Sequence, residues 1–235
     1  MSRSTRRLTR THWVSIAAVL LALLFAGAAT VATAGGADED AQRTAAGGAV
    51  PGKDSAEAGF ARDMAVHHQQ AVEMSFIVRD RTEDEDVRRL AYDIANTQAN
   101  QRGMLFGWLD LWGLPKVEAG TEPMAWMQSM DSMDHSGHGE RAGQGSGGDG
   151  SLMPGMATRA ELDQLAKAEG RQAEILYLQL MTDHHKGGVV MARGCAEQCT
   201  VAPEKSLAQG MVNAQQSELD LMADMLKKRG AAPRS

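Results

Sequence analysis

The chain has 235 residues, with 24 Lys and Arg against 30 Asp and Glu, and its formal net charge is −6. The first 34 residues carry four arginines and no acid, so the remainder has 20 basic and 30 acidic side chains, a net charge near −10. This length suits one domain or two small ones. An acidic chain without a basic stripe is not expected to bind nucleic acid.

An uncharged segment of 22 residues, 13–34, follows the arginines and ends in Ala32, Thr33 and Ala34. A basic start, an apolar middle and a small-residue end are typical of a secretory signal peptide. The segment is also long enough for a transmembrane helix, and the arginines would then leave the rest of the chain outside. Residues 1–34 are therefore predicted to be a signal peptide or an N-terminal membrane anchor of an exported, periplasmic or extracellular protein.

Residues 35–56 are rich in Gly, Ala and charge, which predicts a flexible linker. An all-α domain is predicted over residues 57–230. Its four helices are predicted at about 57–80, 84–112, 158–193 and 203–229. Thr158 and Glu161 form a capping-box pattern at the start of the third helix. The connection, residues 114–157, is predicted to be too polar and Gly-rich to pack.

The two halves of this domain repeat. A shift of 117 residues aligns 60–113 with 177–230 without a gap and places the pair His67-His68 on the pair His184-His185. The repeats 57–113 and 158–230 therefore predict two homologous helical hairpins. Together they would form a four-helix bundle with one long Met/His/Gly-rich crossover.

Each half places two histidines and two methionines on one helix face. A residue advances by about 100° around a helix, so Met64, His67, His68 and Met74 fall within about 120°. The predicted metal ligands are Met64, His67, His68, Met74, Met181, His184, His185 and Met191. Core packing is the ordinary role of such methionines. The recurrence favours metal, because four buried histidines need partners.

Gly187 and Gly188 follow the second histidine pair inside the predicted third helix. Two glycines there permit close helix approach or room for an ion, and they also permit a local break of the helix. These alternatives stay open.

The connection carries a second candidate set, in which methionine recurs every third residue. Its members are Met124, Met127, Met130, Met133, His135, His138, Met153 and Met156. Thioether and imidazole ligands suit Cu(I) or Ag(I), whereas hard cations prefer oxygen. A short amphipathic helix with methionine as filler is the alternative.

Cys195 and Cys199 lie where the third helix is predicted to end. A local disulfide is expected outside the cytoplasm, and a thiolate pair for copper is the alternative.

Another recurring set consists of Asn96, Gln98, Asn213 and Gln215. These side chains are predicted either to hydrogen-bond the ligand histidines or to make plain interhelical contacts. Weaker candidates of the same kind are Asp93, Gln101 and Glu218.

The motifs MAVHHQQAVEM (64–74) and MTDHHKGGVVM (181–191), with the trailing NTQ (96–98) and NAQ (213–215), resemble the domain of unknown function 305 family. The resemblance covers about residues 57–230. It implies a ferritin-like four-helix bundle in an exported bacterial protein, and some family members bind Cu(I) or Ag(I) and aid copper tolerance. It implies the same eight histidines and methionines as ligands. The long insertion and the cysteine pair depart from the family pattern and leave further sites open.

We therefore expect a non-enzymatic protein that binds Cu(I) and serves in copper buffering, delivery or tolerance. Silver is a possible substitute for copper. Its candidate partners are a copper-handling protein, a second copy of the chain and, if residues 1–34 are retained, the membrane. A ferritin-like di-iron oxidase is one alternative, although the chain has no Glu-x-x-His motif, which such sites use. Iron is accordingly not expected. A helical interaction module without metal is the other alternative.

Overall fold

The computed structural model describes residues 50–127 and 151–234. The predicted signal or anchor, residues 1–34, lies outside the described residues. So do four candidate ligands of the connection: Met130, Met133, His135 and His138. Within the described part the regular structure is helical, and none of its helices is long and apolar enough to cross a membrane.

The described helices are α1 (Ala56–Arg79), α2 (Glu85–Trp112), α3 (Arg159–Lys167), α4 (Gly170–Gln198) and α5 (Ala202–Lys228). The predicted first, second and fourth helices, which correspond to α1, α2 and α5, are confirmed to within one residue at each end. The Ser55 and Asp84 side chains accept backbone hydrogen bonds at the starts of α1 and α2, as N-caps do. Gly113 ends α2 in the left-handed conformation, with φ 68°.

The prediction of one continuous helix over residues 158–193 is wrong. The capping box of Thr158 and Glu161 is present, but it starts only the short helix α3. Ala168 is extended, and Gly170 opens α4 with φ 51°. The Gly170 N–H donates to the carbonyl of Arg81 (2.7 Å), so the loop between α1 and α2 fixes the break. Helix α4 then runs on to Gln198, past the first cysteine.

Two hairpins, α1–α2 and α4–α5, pack together through α1 and α4. These two helices run antiparallel. Glu57 at the start of α1 accepts a hydrogen bond from the Thr200 N–H, just beyond the end of α4. Near the opposite ends, the hydroxyls of Ser75 and Tyr177 lie 3.1 Å apart. The first turns of one helix therefore meet the last turns of the other.

The buried apolar side chains form two clusters. Cluster 1 contains the methionines Met64, Met124, Met153, Met191 and Met211. Cluster 2 contains the methionines Met74, Met181, Met222 and Met225. Because Met64 and Met74 are ten residues apart, about 15 Å along α1, the clusters lie toward opposite ends of that helix.

The prediction that the connection does not pack is wrong at both of its described ends. A 3-10 turn, Ala125–Met127, is held on α1, where the Asp63 carboxylate accepts from the N–H of Met124 (2.8 Å). At the other end, the Gln70 amide donates to the carbonyl of Ala157 (2.9 Å) and accepts from its N–H (2.6 Å). The connection thus returns across the helices that carry the histidines.

Candidate metal centre

All four paired histidines are buried, each with at most 1% of its surface exposed. His67 and His68 lie in the middle of α1, and His184 and His185 lie in the middle of α4. Because the helices cross there, the rings of His67 and His184 stack with centroids 3.7 Å apart and planes tilted by 33°. Side chains related by the 117-residue repeat are thus brought face to face.

Each histidine uses its Nε2 atom in a hydrogen bond. The Nε2 atoms of His67 and His184 lie 3.2 Å from the carbonyl of Pro154 and 2.9 Å from the carbonyl of His67, respectively. A carbonyl oxygen only accepts, so both Nε2 atoms carry the proton. In a neutral imidazole with a proton on Nε2, the Nδ1 atom has a free lone pair.

The outer histidines repeat this arrangement with side-chain partners. The Nε2 of His68 lies 2.8 Å from the Gln101 side-chain oxygen, and the Nε2 of His185 lies 2.7 Å from a Glu218 carboxylate oxygen. Gln101 and Glu218 are themselves 117 residues apart. With the carboxylate oxygen as acceptor, His185 also donates from Nε2.

The four Nδ1 atoms have no hydrogen-bond partner and are shielded from solvent. A buried polar atom left without a partner costs about 1–3 kcal/mol. Burial lowers the pKa of His67 to about 4. Burial, together with repulsion from the protonated form of His67, lowers the pKa of His68 to about 3. Burial also holds the pKa of His184 well below its ordinary value. These three imidazoles are therefore neutral at pH 7, which is the metal-binding form.

The four helix methionines predicted as ligands are fully buried, but they do not meet at one point. Met64 and Met191 lie in cluster 1, whereas Met74 and Met181 lie in cluster 2. Met64 is three residues before His67, and Met181 is three before His184, spacings at which helix side chains are neighbours. Each histidine pair therefore has one methionine on its own helix within a turn.

The described connection methionines belong to the same region as the first histidine pair. Met124 and Met153 are buried in cluster 1, and Met127 and Met156 pack against its edge. Pro154, between Met153 and Met156, supplies the acceptor for His67. The two ligand sets predicted separately thus adjoin one another.

The predicted asparagines lie away from the histidines. Asn96 is exposed and donates to the Tyr92 carbonyl, and exposed Asn213 accepts from Gln209. Gln98 and Gln215 are buried, but the described hydrogen bonds do not join them to the histidines. The side chains that do accept from the outer histidines are two of the weaker candidates, Gln101 and Glu218. Each lies 33 residues after its histidine, and this equal spacing is the sequence pattern that could have predicted them.

The glycine pair is explained by close packing, and α4 is not broken there. A Cβ on Gly187 would lie 1.9 Å from the Pro154 carbonyl oxygen, so the connection rests on bare helix backbone. A Cβ on Gly188 would lie 2.5 Å from the Gln215 side-chain oxygen. The missing side chain of Gly187 thus leaves room for the connection to pack against α4, and that of Gly188 leaves room for Gln215 of α5.

The four histidines do not form one preformed cluster. Within residues 50–127 and 151–234, one set of three or more His, Cys, Asp or Glu side chains has all its ligand atoms within 4.8 Å of one another. It consists of Cys195, Cys199 and Glu204. The two cysteines form a disulfide.

Residues 57–226 match the family model described as Domain of unknown function (DUF305). The chain belongs to the DUF305 family. This confirms the resemblance drawn from the paired histidine motifs. No curated protein matches the chain.

Solved structures of DUF305 proteins resemble this one. A presumed secreted DUF305 protein from Streptomyces coelicolor is 60% identical with a TM-score of 0.67, and the match covers 78% of this chain and 99% of that chain. A DUF305 fragment from Deinococcus radiodurans is 27% identical with a TM-score of 0.56, covering 74% and 96%. CopM in its Cu(I)-bound form is 18% identical with a TM-score of 0.52, covering 74% and 96%, and this likeness concerns the fold.

Proposed function

We propose that this DUF305 protein binds Cu(I), or Ag(I) in its place, and buffers or delivers copper outside the cytoplasmic membrane without catalysing a reaction. The observation that carries the proposal is the set of four buried Nδ1 atoms without partners, with one buried methionine within a helical turn of each histidine pair. Neutral imidazole and thioether together are ligands for a soft monovalent ion. A bound ion would also remove the free-energy cost of leaving these atoms unpaired.

The ligands divide into two equivalent sites. The first comprises Met64, His67 and His68 of α1 with Met191 of α4, because the two methionines share cluster 1. The second comprises Met181, His184 and His185 of α4 with Met74 of α1, which share cluster 2. Each site has two imidazoles and two thioethers, and the repeat relates one to the other.

The remaining parts of the proposal concern architecture and location. The two hairpins would assemble over residues 57–230 as a ferritin-like four-helix bundle, with residues 1–34 as an export signal or anchor. A secreted location is supported by the description of the Streptomyces coelicolor relative. Metal binding is supported by CopM, whose solved forms include Cu(I)-, Cu(II)- and Ag-bound states. A copper-handling protein would be the delivery partner.

A di-iron site has little to support it in the described part of the chain. Asp63 is engaged by the connection, where it accepts from Met124 and Trp126. Glu73 is directed toward Arg159, with 3.7 Å between the charged atoms. Asp63 is thus already paired and the Glu73 side chain is 42% exposed, so the described positions of these carboxylates do not favour an interior cluster of four.

The test is an anaerobic Cu(I) titration of the purified protein against a chromophoric Cu(I) chelator. The first variant changes His67, His68, His184 and His185 to Ala, with circular dichroism as a check that it folds. We expect the unmodified protein to withdraw Cu(I) from the chelator and the variant to lose most of that capacity. Binding that survives would locate the ions in the connection, and failure of the unmodified protein to compete would refute the proposal.

A second variant separates the two sites. Met64→Leu with Met191→Leu keeps the side-chain volume but removes both thioethers from the first site. We expect it to lose about one equivalent of tightly bound Cu(I) while the second site is retained. Met225→Leu is the matched control, because this methionine is also buried, with 3% of its surface exposed, but lies in cluster 2 and belongs to neither site. Equal stoichiometry in the double variant and the control would contradict the two-site arrangement.

A further inference from the structure

A second group of metal-binding atoms lies where α4 meets α5, apart from the histidines. Cys195 lies in the last turn of α4, Cys199 is the residue at which that helix ends, and Glu204 lies in the first turn of α5. The two sulfurs and a carboxylate oxygen all lie within 4.8 Å of one another. Their side chains are buried, with at most 2% of each residue exposed.

Glu204 is the unusual member of this group. It is fully buried, and both of its carboxylate oxygens lack a hydrogen-bond partner. The nearby carboxylate of Glu57 is satisfied, since it accepts from the N–H and the hydroxyl of Thr200. A disulfide cannot donate a hydrogen bond to Glu204. A purely structural disulfide therefore leaves an unpaired polar group in the core, which is costly.

We propose that Cys195, Cys199 and Glu204 form a redox-gated metal site, closed as a disulfide and open to a thiophilic divalent ion such as Zn(II) once the disulfide is reduced. Two thiolates and one carboxylate are common zinc ligands, and a water molecule completes the fourth position of an open site. In the reduced state the bound ion gives Glu204 the partner that it lacks in the oxidised state.

The redox step is a thiol–disulfide exchange with an external dithiol. A thiolate of the reductant attacks one sulfur, the bond between Cys195 and Cys199 breaks, and a mixed disulfide forms. The second thiol of the reductant then resolves this intermediate, so the reductant leaves as its own disulfide and the protein gains two electrons and two protons. Metal binding displaces the protons from both thiols and any proton on the Glu204 carboxyl. Cys199 caps α4 by donating its N–H to the Cys195 carbonyl (2.8 Å), so the two sulfurs separate by rotation of the side chains while this backbone hydrogen bond is kept.

The experiment uses the full chain and Cd(II) as the probe, because cadmium bound to thiolate gives a charge-transfer band in the ultraviolet that imidazole and thioether ligands do not produce. The protein is reduced anaerobically with a phosphine, the phosphine is removed, and free thiols are counted before titration. We expect one equivalent of Cd(II) to produce the band in the reduced protein. In the oxidised protein, Cd(II) should produce no band. Absence of the band from the folded, reduced protein would overturn the proposal.

Two variants make the test specific. Cys195→Ser with Cys199→Ser should abolish the band. Glu204→Gln keeps the side-chain volume and both cysteines, and it should weaken Cd(II) affinity by at least about tenfold, the lower limit seen when even outer partners of a metal are removed. Unchanged affinity would exclude Glu204 as a ligand and overturn the proposal.

Reduction can also unfold the chain, and circular dichroism reports this directly. In that event Cd(II) should restore the helical signal to the unmodified protein but not to the double serine variant, and failure to restore it would count against the site. The thiolate band is independent of the histidines. Loss of Cu(I) binding with the band retained would refute the proposed function alone, and the reverse pattern would refute this inference alone.

Discussion

Replacing Gly187 with Ala tests whether the connection lies on the histidine face of α4. In an ordinary helix interior, Gly to Ala stabilises the folded state by roughly 1 kcal/mol, since alanine loses less backbone entropy on folding. Here the new methyl group would lie 1.9 Å from the Pro154 carbonyl oxygen and 2.5 Å from its carbon. Both atoms belong to backbone, so the connection has to move.

The size of the effect follows from what that movement breaks. At least three hydrogen bonds hold the described segment: one from the His67 ring to Pro154, and two between the Gln70 amide and Ala157. At about 1 kcal/mol each, their loss outweighs the gain in helix propensity by about 2 kcal/mol. If Met153, which is 1% exposed, also leaves the core, the net destabilisation rises to about 4 kcal/mol.

The assay is urea unfolding followed by circular dichroism, with Gly210→Ala as the matched control. Gly210 also lies inside a helix, and a Cβ there would meet nothing within 4 Å. We expect the control to gain up to about 1 kcal/mol and the Gly187 variant to lose 2–4 kcal/mol, a difference in sign. If both variants gain stability alike, the connection does not rest on α4 and the assigned partner of His67 is wrong.

Three further predictions concern buried ionisable groups and the carboxylate of Glu218. Lowering the pH from about 6.5 to 4 should destabilise the metal-free protein, because unfolding lets the three histidines with lowered pKa values take up protons. Urea titrations at several pH values should show a slope approaching about 1.4 kcal/mol per pH unit for each histidine, and a flat profile would contradict their burial. Burial beside Glu57 raises the pKa of Glu204 to about 9. Since that carboxyl ionises on unfolding, its own contribution to stability should fall as the pH rises from about 4.5 toward 9, which opposes the larger histidine effect below pH 6.5 and lowers stability above it. Glu204→Gln should therefore raise the thermal unfolding midpoint at pH 8, and an unchanged midpoint would refute this. Glu218→Gln replaces the carboxylate that accepts from His185. The second site should then lose about tenfold in Cu(I) affinity, measured by chelator competition. An unaltered affinity would show that this carboxylate does not strengthen metal binding by His185.

The repeat explains how much of the fold the sequence could predict. Hydrophobic period, capping residues and Gly113 located three long helices to within one residue, because each of these signals acts on the local backbone. The break before α4 was not predictable in the same way. Its extended residues and Gly170 are fixed by a hydrogen bond to the Arg81 carbonyl, 89 residues away in sequence.

The site divides along the same line. Burial of the paired histidines followed from helix geometry alone, since the helical period places them on one face. The acceptors of His67 and His184 are backbone carbonyls, which every residue carries and which no sequence pattern distinguishes. The overall composition of residues 114–157 does not predict packing of the connection, because only a few methionines at its two ends reach the core.

The connection also explains where the two halves of the repeat have to differ. Gln70 and Gly187 occupy the same repeat position, and both contact the returning segment: Gln70 pairs its amide with Ala157, whereas Gly187 leaves room for Pro154. A single crossover cannot obey a two-fold relation, so it contacts the two halves in different ways. For the same reason His67 donates to the crossover while its counterpart in α4 donates to helix backbone. The repeated residues therefore supply the proposed ligands, and the residues that differ between the halves determine how the chain covers them.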